Sequence, residues 1–220
     1  MKNGPRLSGL RILAADDVEL NRLVLEDLLV YEGAEAIFAE NGRQALERLE
    51  EIGYTQVDAV LMDIQMLIMD GYQATRKILE LAPDPPVIEQ AGPESPQPET
   101  AQTGVIDWAA VRQRFDGRQD FILRLIDSAL DGSQQANAQK LRQASHDEDF
   151  AGVKFVAHAL KGFAGVFQAA ALMELAQAAE KAAKAQEPQG LELSLKLADS
   201  LDLLLTELQH YREIGTGDES

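Results

Sequence analysis

The chain has 220 residues, 45% of them hydrophobic, and sets 37 acidic against 20 basic side chains for a formal net charge of −17. That balance excludes nucleic acid and anionic membrane surfaces as principal partners, since both select clustered Lys and Arg. Cysteine is absent, which removes disulfides, thiolate metal sites and cysteine nucleophiles. The opening MKNGPRLSGLRILAADD is broken by Arg11 and ended by Asp16, so it lacks a secretory core. No stretch reaches the roughly 18 uncharged apolar residues of a membrane span. A cytoplasmic protein without membrane association is the expectation.

Short apolar runs alternate with helical patterns in the first part. Arg11–Ala15 reads as a buried strand, and Glu19–Tyr31 as a helix with an apolar stripe and Gly33 as its stop. Ala34–Ala39 reads as a second strand and Asn41–Ile52 as a helix capped by Asn41. Val57–Asp63 is a third buried strand, Asp70–Ala82 a third helix, and Pro85–Ile88 opens a fourth strand. This order predicts an α/β unit with a parallel sheet of three to four strands and right-handed crossovers.

Six of the eight prolines fall between Pro83 and Pro98. Glu89–Gly104 has few apolar residues and no periodicity, and reads as a solvated linker. The expected division is 8–88, a linker 89–104, and 105–212. The last region is all-α: Trp108–Phe115 capped by Asp107, then Arg118–Ser145, Asp149–Phe167, Ala170–Lys184 and Leu191–Tyr211. Pro188 and Gly190 separate the last two. Long amphipathic helices with short loops predict an antiparallel four-helix bundle.

One helix carries AHALKGFAG, Ala157–Gly165, with two interior glycines that each cost roughly 1 kcal/mol against alanine. At about 100° per residue, Val153, Val156, Leu160, Phe163 and Phe167 form the core stripe. His158 lies opposite, with Lys154, Lys161, Gly162 and Gly165 on its face and Phe155 nearby. A lone helical histidine is usually incidental. Here the glycines remove side chains beside the ring, so a macromolecule can reach it. Imidazole near its ordinary pKa of about 6.5 is a nucleophile at neutral pH, and Lys161 one turn away can balance an anion on the ring. The combination points to phosphoryl transfer between proteins. His146 and His210 lack this setting and read as surface residues.

HALKGFAG resembles the H-x-x-K-G signature of histidine phosphotransfer (HPt) domains. The flanking IDWAAVRQRFDGRQDFILRLI and ALMELAQAAEKAAKA are similar to that family, over about Val105–Tyr211. The resemblance implies that His158 carries a phosphoryl group with Lys161 in support. Gln168 stands where many members have a glycine.

Asp16 and Asp17 follow the first strand and Asp63 ends the third, so a parallel sheet brings the three toward one crevice at its carboxyl edge. Oxygen ligands of this kind suit Mg²⁺. ILAADDVELNRLVLEDLL and DAVLMDIQMLIMDGYQATRKI resemble response-regulator receiver domains, which implies a flavodoxin-like sheet. It also implies that Asp63 is a phospho-acceptor, with Asp16, Asp17 and the Gln65 carbonyl holding Mg²⁺. Leu67 replaces a proline common in that loop, and Gly71 is retained. A full receiver continues to a fourth strand ending in Ser or Thr, a fifth ending in Lys, and a last helix. No lysine occurs between Lys77 and Lys140, and Thr100 and Thr103 lie in the linker. A truncated receiver is expected, with an uncovered apolar edge or face suited to self-association or to packing on the bundle.

The leading reading is a phosphorelay intermediate that exchanges phosphate between His158 and receiver domains of partner proteins, downstream of a hybrid histidine kinase. No kinase ATP-binding region is visible. The alternative is that the receiver half is a phosphorylation-incompetent interaction or dimerisation module. A Mg²⁺-dependent phosphohydrolase also uses strand-end aspartates, but wants D-x-D where this chain has the adjacent Asp16-Asp17.

Overall fold

The computed structural model describes residues 5–64, 66, 68–81, 87–90 and 105–215. The chain divides into two compact units, Met1–Glu94 and Ser95–Ser220. No helix among the described residues is long and apolar enough to cross a membrane.

The first unit runs β1 (Arg11–Ala15), α1 (Glu19–Tyr31), β2 (Glu35–Ala39), α2 (Gly42–Ile52), a 3-10 turn at Tyr54–Gln56, β3 (Ala59–Asp63), α3 (Gly71–Leu81) and β4 (Val87–Gln90). The strands form a parallel sheet in the order β2-β1-β3-β4. β1 is apolar at successive positions because it is central and covered on both faces. One face packs Leu13, Leu49, Val60, Met62 and Ile78 beneath α2 and α3. The other packs Ile12, Leu29, Phe38 and Leu61 against α1. Ile88 pairs in register with Leu61 on that second face yet is 52% exposed.

Local signals set the ends of these helices. The Asn41 side chain accepts the Gln44 N–H at 3.0 Å and caps α2. Gly33 follows α1 with φ +83°, a left-handed stop. Gly71 must be glycine, because a Cβ there would run into the Asp63 carbonyl. Its N–H donates to the Ile64 carbonyl at 3.0 Å, pinning the start of α3 to the end of β3.

The second unit comprises α4 (Trp108–Arg114), α5 (Gln119–Ala129), α6 (Ser133–His146), α7 (Phe150–Val166), α8 (Ala170–Lys184) and α9 (Gln189–Gly215). The helix expected over Arg118–Ser145 is two helices. Gly132 takes φ +104°, and the Asp131 carboxylate accepts the Ser133 N–H at 2.7 Å to start α6. α6, α7, α8 and α9 form the bundle, with α7 packed on α6 and α8, and α9 packed on the same two. Short loops make neighbours antiparallel. Phe163, Phe167, Leu160, Leu172 and Leu141 are fully buried among them. The start of the unit is clamped by Glu207 of α9, which accepts the Val105 N–H and the Trp108 indole N–H at 2.9 Å each. Trp108 stacks on Tyr211 with centroids 3.7 Å apart.

Candidate functional site

α7 turns its core stripe inward as the periodicity requires: Val153, Val156, Leu160, Phe163 and Phe167 are all buried. Ala157, Ala164 and Val166 join them. His158 lies off that stripe, but it is not fully exposed; its side chain retains 26% exposure. A carboxylate from the next helix lies against the ring. Glu180 of α8 places Oε1 2.9 Å from His158 Nδ1 and Oε2 2.6 Å from Lys161 Nζ.

Burial by itself would raise the Glu180 pKa. The hydrogen bonds from His158 and Lys161, with their charges, outweigh it and hold the group at about 2. Glu180 is thus an ionised, acceptor-only partner at neutral pH. Facing this acceptor, Nδ1 is the ring nitrogen placed to donate, and Nε2 is the one Glu180 does not engage. Glu180 was not singled out by sequence reasoning. It lies 22 residues from His158, and nothing local says which face of α8 meets α7.

Gly162 and Gly165 continue the His158 face of α7, and Phe155 on it is 39% exposed. The Gly165 carbonyl accepts from Arg114 Nη1 and from Gln168 Nε2, each at 2.9 Å. Gln168 itself has φ +52°. That left-handed backbone is why a glycine suits this position.

The first unit brings Asp16, Asp17 and Asp63 together, with carboxylate oxygens within 4.8 Å of one another. The reason is strand order: β3 lies beside β1, so both carboxyl ends open on one crevice. Asp16 is 4% exposed. It accepts from the Val18 N–H at 2.8 Å and from the Asn21 amide, while Arg22 donates to its carbonyl at 2.7 Å. Burial first, then the charges of Asp63 and Asp17, push the Asp16 carboxyl up to about 7, against the opposing bonds from Val18 and Asn21. Three hard oxygen donors crowded in this way fit Mg²⁺. Gln65, named as a further ligand, lies outside the described residues, as do Leu67, Thr100 and Thr103.

Comparison with known proteins matches two families in succession along the chain. Residues 12–103 match the response regulator receiver domain and residues 125–211 match the Hpt domain. The chain is 35% identical over 107 residues to the autoinducer 1 sensor kinase/phosphatase LuxN of Vibrio harveyi, covering 49% of this chain and 11% of that protein. It is 37% identical over 81 residues to the two-component response regulator ORR41 of Oryza sativa subsp. japonica, covering 36% and 63%. To the chemotaxis protein CheY of Bacillus subtilis it is 42% identical over 72 residues, covering 32% and 58%. It therefore spans less than two thirds of each of these relatives. Among solved structures, the response regulator domain of Thermotoga maritima CheB matches at 28% identity and a TM-score of 0.32, covering 39% of this chain and 64% of that one. The chain thus carries a response regulator receiver domain followed by an Hpt domain, the domain types of two-component phosphorelay systems.

Proposed function

We propose that the chain is a cytoplasmic phosphorelay intermediate whose Hpt domain carries a phosphoryl group on His158. The observation that carries this reading is the His158–Glu180 pair, which commits Nδ1 and leaves Nε2 as the nucleophile. The Nε2 lone pair attacks the phosphorus of an aspartyl phosphate on a partner receiver. The bond from phosphorus to the aspartate oxygen breaks, and the carboxylate leaves with the electron pair. The Nδ1 proton stays on the ring, and Glu180 offsets the positive charge the imidazole acquires. Lys161, now paired with Glu180, is one turn from the ring and exchanges that carboxylate for phosphoryl oxygens. Gly162 and Gly165 keep the helix face low enough for the partner to reach His158. The chain relays phosphate without turnover, taking it from an upstream hybrid histidine kinase through receiver domains.

Asp16, Asp17 and Asp63 would hold Mg²⁺ in the receiver half; when bound, the ion neutralises charge on a phosphoryl group. Asp63 is the acceptor there. The test of the main reading is transfer of ³²P from a phosphorylated receiver domain. Wild type acquires an acid-labile, base-stable label and His158→Gln acquires none; equal labelling of the two sinks the claim.

A second reading concerns the receiver half only: an interaction or dimerisation module that does not take up phosphate. What favours it is the missing lysine between Lys77 and Lys140 and the exposed Ile88 on the β4 edge. Without a cation on its phosphoryl oxygens, phospho-Asp63 loses part of its charge stabilisation. Absence of Asp63 labelling by acetyl phosphate, alongside a labelled His158, supports this second reading. A stable phospho-Asp63 removes it.

A further inference from the structure

The surface around His158 differs in charge from the rest of the chain. Within about 60° of His158 on the α7 wheel lie Ala151, Lys154, Phe155, Lys161, Gly162 and Gly165. None is acidic, in a chain of net charge −17. α8 adds Lys184, one turn beyond Glu180 on the same helix face. Glu180 is the acid present, and its charge is spent on Lys161 and His158. This is a basic strip on an acidic protein.

Arg114 extends the strip from a separate helix. α4 ends at Arg114, and Nη1 donates to the carbonyl of Gly165 at 2.9 Å. Gly165 is seven residues from His158, so it lies on the same face, roughly 10 Å along the helix. Arg114 is exposed as a residue, yet partial burial of its guanidinium draws its pKa below the usual arginine value, as expected for a cation with no ion-paired carboxylate among the described residues. Its hydrogen bond goes to an uncharged carbonyl and its guanidinium lies 5.7 Å from the Phe115 ring centroid, so neither contact neutralises the charge.

A protein that brings an aspartate to His158 Nε2 covers more than the ring. A standard interface takes about 800 Å² from each partner, a disc of about 16 Å radius. Gly165 lies inside that disc, and Arg114 is held on its carbonyl, about two helical turns from His158. The incoming domain is acidic where it docks, because carboxylates hold its Mg²⁺, as Asp16, Asp17 and Asp63 are grouped in this chain. An acidic docking face meets a chain of net charge −17 favourably only where the contact itself is complementary.

We propose that Arg114 is a specificity-determining residue for the phosphoryl donor: it receives a carboxylate of the incoming receiver at the rim of that receiver's acidic site. Donors with an acid there are selected, and donors with a neutral or basic residue are disfavoured. This rests on the phosphohistidine reading of His158. Arg114 acts on docking and not on the bond exchanged, so its effect belongs in the half-saturating donor concentration and in salt dependence.

The test uses the full chain and a panel of isolated receiver domains labelled with acetyl [³²P]phosphate. The donor that transfers fastest to wild type is the probe. Arg114→Gln raises the half-saturating donor concentration about fivefold, with the saturating rate little changed and the salt dependence flattened. Arg114→Lys restores most of the loss, because charge and not fork geometry is what is needed. Equal half-saturating concentrations and salt slopes in wild type and R114Q overturn the proposal. Equal impairment of R114Q and R114K also overturns it, since the charge is then not the cause. If no donor labels wild type, the His158 reading itself falls and takes this one with it, an outcome distinct from the other two.

Discussion

Glu180 holds His158 by Nδ1 at 2.9 Å across the α7–α8 interface, with its second oxygen on Lys161. One carboxylate thereby orients the ring, selects its tautomer and parks the lysine. Glu180→Ala frees all three. Transfer from a phosphorylated receiver to His158 should slow roughly tenfold, by analogy with other groups that orient a working histidine. ¹⁵N imidazole shifts provide the check: the variant shows a mixture of tautomers where wild type shows Nδ1–H. An unchanged shift pattern would remove Glu180 from the mechanism.

The same pair sets an acid limit on the bundle. The folded Glu180 pKa, about 2, lies below its ordinary value of 4.5. A depressed carboxylate contributes stability above the unfolded pKa and loses it as pH falls through the folded one. Wild type should therefore exceed Glu180→Gln in stability at pH 6. The gap should close between about pH 4.5 and pH 2. Urea melts at four pH values measure it, and a gap at pH 2 as large as that at pH 6 contradicts the assignment.

Glu207 accepts two donors at the entrance of the bundle, the Val105 N–H and the Trp108 indole. Glu207→Ala leaves both without this acceptor and loosens the Trp108–Tyr211 stack. The cost should be about 1.5–3 kcal/mol, the usual range for bonds to a charged group. Trp108 is the only tryptophan, so its emission reports this corner directly. A variant with wild-type urea midpoint and emission would show that the clamp carries no stability.

Ile68 is β-branched, sits at φ +71° and is 74% exposed. A left-handed conformation costs an L-residue roughly 1–2 kcal/mol, and so exposed a side chain recovers little by burial. Glycine removes that strain, at an entropic penalty of roughly 0.5–1 kcal/mol. Ile68→Gly should therefore stabilise the receiver half by about 0.5–1 kcal/mol in thermal or urea melts. Destabilisation would mean that the isoleucine side chain is held by something.

Crowded carboxylates oppose folding until a cation joins them. Mg²⁺ at ten times its Kd should stabilise the receiver half by about 1.4 kcal/mol. Asp63→Asn should raise the metal-free melting temperature and abolish the Mg²⁺ response. A Mg²⁺ shift that survives in Asp63→Asn places the ion elsewhere.

Much of the fold was legible because it is local. The apolar run of β1, the Asn41 and Asp107 caps and the α7 stripe each depend on residues within a turn or two, and the structure places them where the pattern does. The break between α5 and α6 was not legible. The signal is only the short turn sequence Asp131-Gly132-Ser133, where Gly132 takes a left-handed φ and Asp131 accepts the Ser133 N–H.

By itself the sequence determined the order of elements, the two-part organisation and the separation of His158 from the core stripe. These follow from periodicity, capping and composition, which act along the chain. Tertiary structure alone decided what faces what. Helix packing put Glu180 on His158 and α4 set Arg114 on the Gly165 carbonyl, whereas the meeting of Asp63 with Asp16 and Asp17 already followed from the strand ends. Each of these contacts joins residues far apart in the chain, where the energy comes from burying apolar faces that many registers satisfy nearly equally in sequence, and only the packed core selects one.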